Sequence, residues 1–185
     1  MTTLEVRPAL ETLAQQVPAY ARLIWEGLRR NDIRAIAHLP DATVGPIIKL
    51  VEADDFFTVT RLNREEEGVG VLAGHYLGGQ RGALLFQTSG LGNMVNGLAG
   101  LAIAYQIPML LIASPRGVLG EHNPAQLPMG RAIGKILDSL TIPAYWLQDE
   151  ARIPRFMDMG SRGAFASSTP VALLIDTLLT GGKSG

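Results

Sequence analysis

The sequence predicts an α/β protein: a doubly wound, mainly parallel sheet of about six strands with helices on both faces. Three observations lead there. Short apolar, β-branched runs alternate with stretches of helical spacing along most of the chain, the order from which a parallel sheet with crossover helices is built. Several of those runs are apolar almost without interruption, as strands covered on both faces are. At 185 residues the chain has the length of one domain and can bury a core without disulfides or metals, so a single domain over 1–185 is expected.

In chain order, a first helix is expected over 17–30, followed by the strand "IRAIAH" (33–38). A helix at 44–53 leads to "FFTVTRL" (56–62), whose aromatic and β-branched residues favour a strand. The helix at 65–77 opens on three carboxylates, which favourably oppose the dipole of a first turn. "GALLFQ" (82–87) and "PMLLIAS" (108–114) read as buried strands on either side of a helix at 94–105. Helices at 129–140 and 151–166 then alternate with the strands "PAYWLQ" (143–148) and "PVALLID" (170–176). One connection stands apart: residues 115–128, "PRGVLGEHNPAQLP", form a long polar loop rich in Pro and Gly, and long loops in compact domains tend to be functional. No repeat or linker interrupts the pattern, and the final "TGGKSG" reads as a frayed tail.

Composition removes several classes of function. A formal charge of −1 with 18% charged residues offers no footprint for nucleic acid or another polyanion. Without cysteine there are no disulfides, iron–sulfur clusters or thiolate zinc sites. The start, "MTTLEVRPALETLAQQ", lacks the basic and apolar regions of a signal peptide, and no apolar run is long enough to cross a bilayer. A cytoplasmic protein is expected.

In an open parallel sheet, ligands bind outside the carboxyl ends of the strands. The first four ends carry "HLPD", "NREEE", "QTSGLGN" and "SPRG", and this concentration of polar and glycine-bearing stretches marks one edge as the candidate site. Gly68, Gly70 and Gly74 approach a dinucleotide fingerprint, but Glu65, Glu66 and Glu67 stand where a pyrophosphate needs the positive end of a helix. Close helix-to-sheet packing is the expected use of those glycines. The terminal "GGKSG" lacks the first glycine of a phosphate loop, since Thr177 stands there. Ser89 is not on a nucleophile elbow, because that motif needs glycine where Gln87 stands. Of the three carboxylates, Glu66 and Glu67 suit a solvated first turn, whereas Glu65 lies nearest the strand end and is best placed for the crevice.

These residues carry a resemblance. The run from Asn63 to Gly74 resembles the segment of thiamine-diphosphate-dependent decarboxylases that bears the cofactor glutamate in their pyrimidine-binding domain. "QTSGLGNMVNGLAGLAIAYQIPMLLIASP" is similar to that family's next segment: a small-residue turn, an asparagine, a helix and a buried strand. More narrowly, "HLPDA", "NREEEGVGVLAG", "SGLGN" and the pattern "SPRG…GE…PAQ…MG" resemble the alpha subunits of sulfopyruvate decarboxylases and, less closely, phosphonopyruvate decarboxylases. The similarity spans about residues 30–176.

The resemblance implies roles along the edge. Protonated Glu65 is expected to hydrogen-bond the aminopyrimidine ring nitrogen of thiamine diphosphate, favouring the tautomer that deprotonates the thiazolium carbon. Such an acid should be desolvated, with Glu66 and Glu67 as like-charged neighbours. Pro40, Ser89, Gly90 and Asn93 are the further cofactor-binding candidates. No Gly-Asp-Gly run of the family's diphosphate-binding domain occurs here, so no metal ligand is assigned. A beta subunit is expected to hold Mg2+ and the diphosphate, and this chain alone is expected to be inactive. For a 2-oxo acid with a second anion, the substrate candidates are His38, Arg116, His122 and Gln126, with Arg131 as an outlier. The competing reading pairs Arg116 with a nearby carboxylate and leaves His122 solvated. The implied reaction converts 3-sulfopyruvate to sulfoacetaldehyde and carbon dioxide. The alternatives are phosphonopyruvate or another 2-oxo acid as substrate, or a non-catalytic assembly partner of the same fold.

Overall fold

The structure, a computed structural model, describes residues 8–181, so most of the expected frayed tail and the "GGKSG" run lie outside the described residues. Its strands are β1 Ile33–His38, β2 Thr58–Arg61, β3 Arg81–Gln87, β4 Leu110–Ser114, β5 Ala144–Leu147 and β6 Val171–Ile175. They form one six-stranded sheet, parallel throughout, in the order β2-β1-β3-β4-β6-β5. The predicted α/β architecture is therefore the observed one.

Period-two alternation divides the core into two layers. Ile36, Leu85, Ile112 and Leu173 face one layer, under α2 Ala19–Arg30, α3 Gly45–Glu52 and α7 Ile153–Ser167. Leu84, Phe86, Leu111 and Leu174 face the other, under α4 Glu65–Leu77, α5 Leu91–Gly97 and α6 Leu127–Ser139. Strands β4 and β6 are buried along their whole length, whereas edge strand β2 has no buried residue and edge strand β5 buries only Leu147. The 56–62 run is shorter as a strand than expected, because Asp54 turns the chain there: its carboxylate accepts from Phe56 N and its carbonyl from Phe57 N.

Three local features depart from the sequence expectation. Pro8–Gln16 forms an additional helix, α1, which buries Leu10 and Ala14 one helical turn apart and ends before Pro18. The helix expected at 94–105 begins instead at Leu91, and its second half, Leu98–Ile103, widens into a π-helix. A short α8, Thr177–Thr180, follows the last strand, its N-cap Asp176 accepting from Leu178 N. The glycines of α4 also divide: a Cβ on Gly68 would collide with Leu84 and Leu62, as close packing requires, whereas Gly70 and Gly74 face open space.

One feature of this topology positions the site. Strands β1 and β3 are neighbours, yet the chain leaves β1 for α3 in the first layer and leaves β3 for α5 in the second. Their carboxyl ends therefore flank a topological switch point, where the two connections splay apart. Helix α4 packs on both strands, which brings its first residue, Glu65, to that point.

Candidate active site

The turn after β1 is tied down from three sides. Leu39 N donates to Leu85 O on β3 at 3.0 Å, the Asp41 carboxylate accepts from Thr43 N at 2.9 Å, and Tyr20 OH donates to Thr43 O at 2.8 Å. Burial, followed by the charge of Asp41, pushes the Tyr20 phenol up to about 12, so it remains a donor. Pro40 is exposed at the tip of this turn.

Facing it, the three carboxylates of α4 have separate duties. Glu67 Oε2 accepts from Asn63 N at 3.0 Å and Arg64 N at 3.3 Å, closing the helix start. Glu66 is paired with Arg64, whose hydrogen bond holds its carboxyl below the usual range. Glu65 makes no hydrogen bond or ion pair with any described residue and lies directly over Gly90, where a Cβ would overlap its carboxyl group. Gly90 closes a 3-10 turn, Thr88–Gly90, at the end of β3. Glu65 is half-buried in this chain. The walls supplied by α4 and Gly90 leave one side open in this chain. Of the other cofactor candidates, Ser89 is half-buried in the same turn and Asn93 is exposed on the first turn of α5.

On the far side of β3, the long loop is held by a clasp built on Arg116. Arg116 Nε and Nη2 donate to the two oxygens of Glu121 at 2.7 and 2.9 Å, and Nη1 donates to Gln87 Oε1 at 3.0 Å. The same carboxylate accepts from Gly117 N and Asn123 N, both at 3.0 Å, and Arg116 N donates to the buried Thr88 hydroxyl at 2.9 Å. Of the two readings of Arg116, the pairing with a nearby carboxylate is the arrangement seen here: its planar fork matches Glu121 in the same loop. Four donors on Glu121, the Arg116 hydrogen bond foremost, hold its carboxyl far below the ordinary range.

Because that pKa is depressed in the folded state, Glu121 contributes stability that is complete above its unfolded value, about 4.3, and is lost as pH falls towards the folded one. The stability gap between wild type and Glu121→Gln, measured by urea unfolding, should be constant from pH 8 to about pH 5 and shrink only at lower pH. A gap that closes between pH 7 and pH 5 would show that the clasp is not held by an ionised Glu121.

His38 is also corrected. Period two places it on the Ile36 side of β1, within the α2/α3 layer, and it is 1% exposed. Its Nε2 stands 3.3 Å from Glu52 Oε1, but neither ring nitrogen achieves hydrogen-bond geometry. Burial lowers the imidazole below its usual value, Glu52 opposes this and Arg61 adds to it. In this chain the ring is sealed from the crevice among the described residues. His122 and Arg131 are exposed, Gln126 is half-buried in the 3-10 turn Pro124–Gln126, and Asn123 caps that turn by accepting from Ala125 N. His75 contacts Gln80 Oε1 through Nδ1 at 2.8 Å, a local packing role. Among the described residues no group of three or more His, Asp or Glu could hold a metal ion, and no helix is long and apolar enough to cross a membrane.

No family model matches the sequence. The chain is 41% identical over 155 residues to sulfopyruvate decarboxylase subunit alpha of Methanocaldococcus jannaschii, covering 84% of this chain and 92% of that protein. It is 37% identical over 153 residues to the subunit of the same name from Methanothermobacter thermautotrophicus, with 83% and 93% covered. The fold matches that of a thiamine diphosphate-dependent 4-hydroxybenzoylformate decarboxylase from Rhodococcus jostii RHA1 with a TM-score of 0.66 at 16% identity, over 84% of this chain and 29% of that one. With two such relatives matched over nearly their whole length, the chain belongs to the sulfopyruvate decarboxylase alpha-subunit family.

Proposed function

We propose that this chain is one pyrimidine-binding domain and acts as the alpha subunit of a thiamine-diphosphate-dependent 2-oxo acid decarboxylase that converts 3-sulfopyruvate to sulfoacetaldehyde and carbon dioxide. A single observation carries the reading: at the switch point, an acid with no hydrogen bond or ion pair among the described residues lies over a glycine that leaves it room. A group with a flat ring and an acceptor nitrogen fits there, since Gly90 presents bare backbone and Glu65 retains its whole hydrogen-bonding capacity.

Bound thiamine diphosphate would supply the carbon nucleophile and the electron sink for loss of carbon dioxide. Glu65 would hold a proton at its carboxyl oxygen for the ring nitrogen, and Gly90 keeps that carboxyl in place. The 3-10 turn Thr88–Gly90 and Asn93 would flank the ring, with Pro40 closing the side of β1. His122 and Gln126 would meet the substrate from the loop that Arg116 and Glu121 anchor. The enclosure missing around Glu65 would come from a partner subunit, which would also hold the diphosphate and Mg2+. The designation of the relatives as subunits supports that division.

The test mixes the chain with a candidate diphosphate-domain subunit. Cofactor and Mg2+ at 100 times the dissociation constant should stabilise the complex by about 2.7 kcal/mol, seen as a raised Tm, and 3-sulfopyruvate should release carbon dioxide faster than phosphonopyruvate or pyruvate. A complex with neither a Tm shift nor release of carbon dioxide from any of the three would overturn the reading.

A further inference from the structure

We propose that Gln87 is a specificity-determining residue of this site, presenting its side-chain amide NH2 to an oxygen acceptor of the 2-oxo acid. The assignment rests on the decarboxylase reading above and adds a residue to it.

The orientation follows from donor and acceptor logic. Guanidinium groups donate and never accept. Arg116 Nη1 lies 3.0 Å from the Gln87 side chain, so Gln87 must turn its carbonyl oxygen to Arg116. The guanidinium cannot rotate away to relax that choice, because its Nε and Nη2 are both held by Glu121. The NH2 end of Gln87 is thereby fixed on the opposite side, where it has no hydrogen-bond partner among the described residues and is not sealed from solvent. Two unused donors are thus held in one direction by a part-buried ion pair.

The position suits a ligand. Gln87 is the last residue of β3 and is half-buried. β3 lies between β1, which leads to the Pro40–Asp41 turn, and β4, which leads to Arg116. Three residues further on lies Gly90, under Glu65. The charges nearby argue for a neutral donor: Asp41 acts electrostatically on Arg116, and Glu121 pairs with it, so this end of the crevice has no surplus positive charge. An amide NH2 recognises a keto or carboxylate oxygen without needing one. Glu121 acts here as a positioning residue, through Arg116.

Gln87→Glu separates the donor from the rest. It keeps an oxygen for Arg116, so the clasp survives, but it replaces the NH2 with an acceptor. In the assembled complex KM for the 2-oxo acid should rise about 10- to 100-fold, the effect of one lost hydrogen bond to a charged or strongly polar group, with Tm and the dissociation constant of thiamine diphosphate unchanged. Gln87→Leu, which removes both ends, should raise KM to a similar extent. Wild-type turnover with an unchanged KM in Gln87→Glu would overturn the assignment alone, as would weakened cofactor binding at constant KM, which would place the donor on the cofactor. A wild-type complex inert toward every 2-oxo acid would overturn the decarboxylase reading and this assignment with it.

Discussion

Glu65→Gln should lower kcat of the assembled enzyme by about 100- to 10,000-fold, the range associated with losing a positioned acid or base, while leaving the chain folded. The argument for the first half is chemical. Glutamine can donate a hydrogen bond to a ring nitrogen, so the cofactor should still bind, but its amide cannot share a proton with that nitrogen. The argument for the second half is structural. Glu65 has no hydrogen bond or ion pair to lose within the described residues, and removing one charge from a helix N-terminus costs only about 0.3–1 kcal/mol. Capping of α4 is unaffected, because it belongs to Glu67. Steady-state kinetics together with a melting curve would check both halves. A variant with most of its kcat would remove Glu65 from the chemistry.

Gly90→Ala should be almost as damaging through a different route. The backbone at Gly90 is right-handed, with φ −84° and ψ −7°, so alanine meets no conformational strain there. The added methyl would instead occupy the space of the Glu65 carboxyl. That carboxyl is the far end of a flexible side chain with one open side, so it can swing into solvent. The stability cost should therefore stay within about 1 kcal/mol, whereas kcat should fall about 100-fold because the acid is displaced. The double variant Gly90→Ala/Glu65→Gln should be no slower than Glu65→Gln alone, since both changes remove one function. Additive losses would mean that Gly90 serves something other than the seat of Glu65.

The strands, and the sheet edge proposed to carry the site, were legible in the sequence because they depend on short-range pattern. Runs such as "GALLFQ" and "PVALLID" state their burial directly, and the adjacency of Glu65 to the end of β2 placed it at the crevice. What escaped depends on contacts between distant positions. A carboxylate partner for Arg116 was one of two readings, but its contact with Gln87, 29 positions away, has no local spacing to announce it. His38 shows the limit of reasoning from strand ends alone. A terminal strand residue can face the crevice or a packed layer, and the same alternation that put Ile36 in the core put His38 beside it. Gln87 carried a readable signal, a polar residue closing an apolar strand, yet its orientation became meaningful only once Arg116 was seen to hold one end of it. Helix α1 was missed because it is brief and buries only two small seams of side chain.

The long connection between β4 and α6 has the length and composition of a lid, but it is pinned at its neck. Gly117 sits against the Gln126 carbonyl, and Gly130 sits against the carbonyls of Arg116 and Gly117, each so tightly that a methyl group would not fit. The two ends of the segment pack on each other, and Arg116 ties its start to Gln87 and Thr88 at the end of β3. On the proposed function, any motion that admits a substrate would then fall to the opposite rim of the crevice or to a partner.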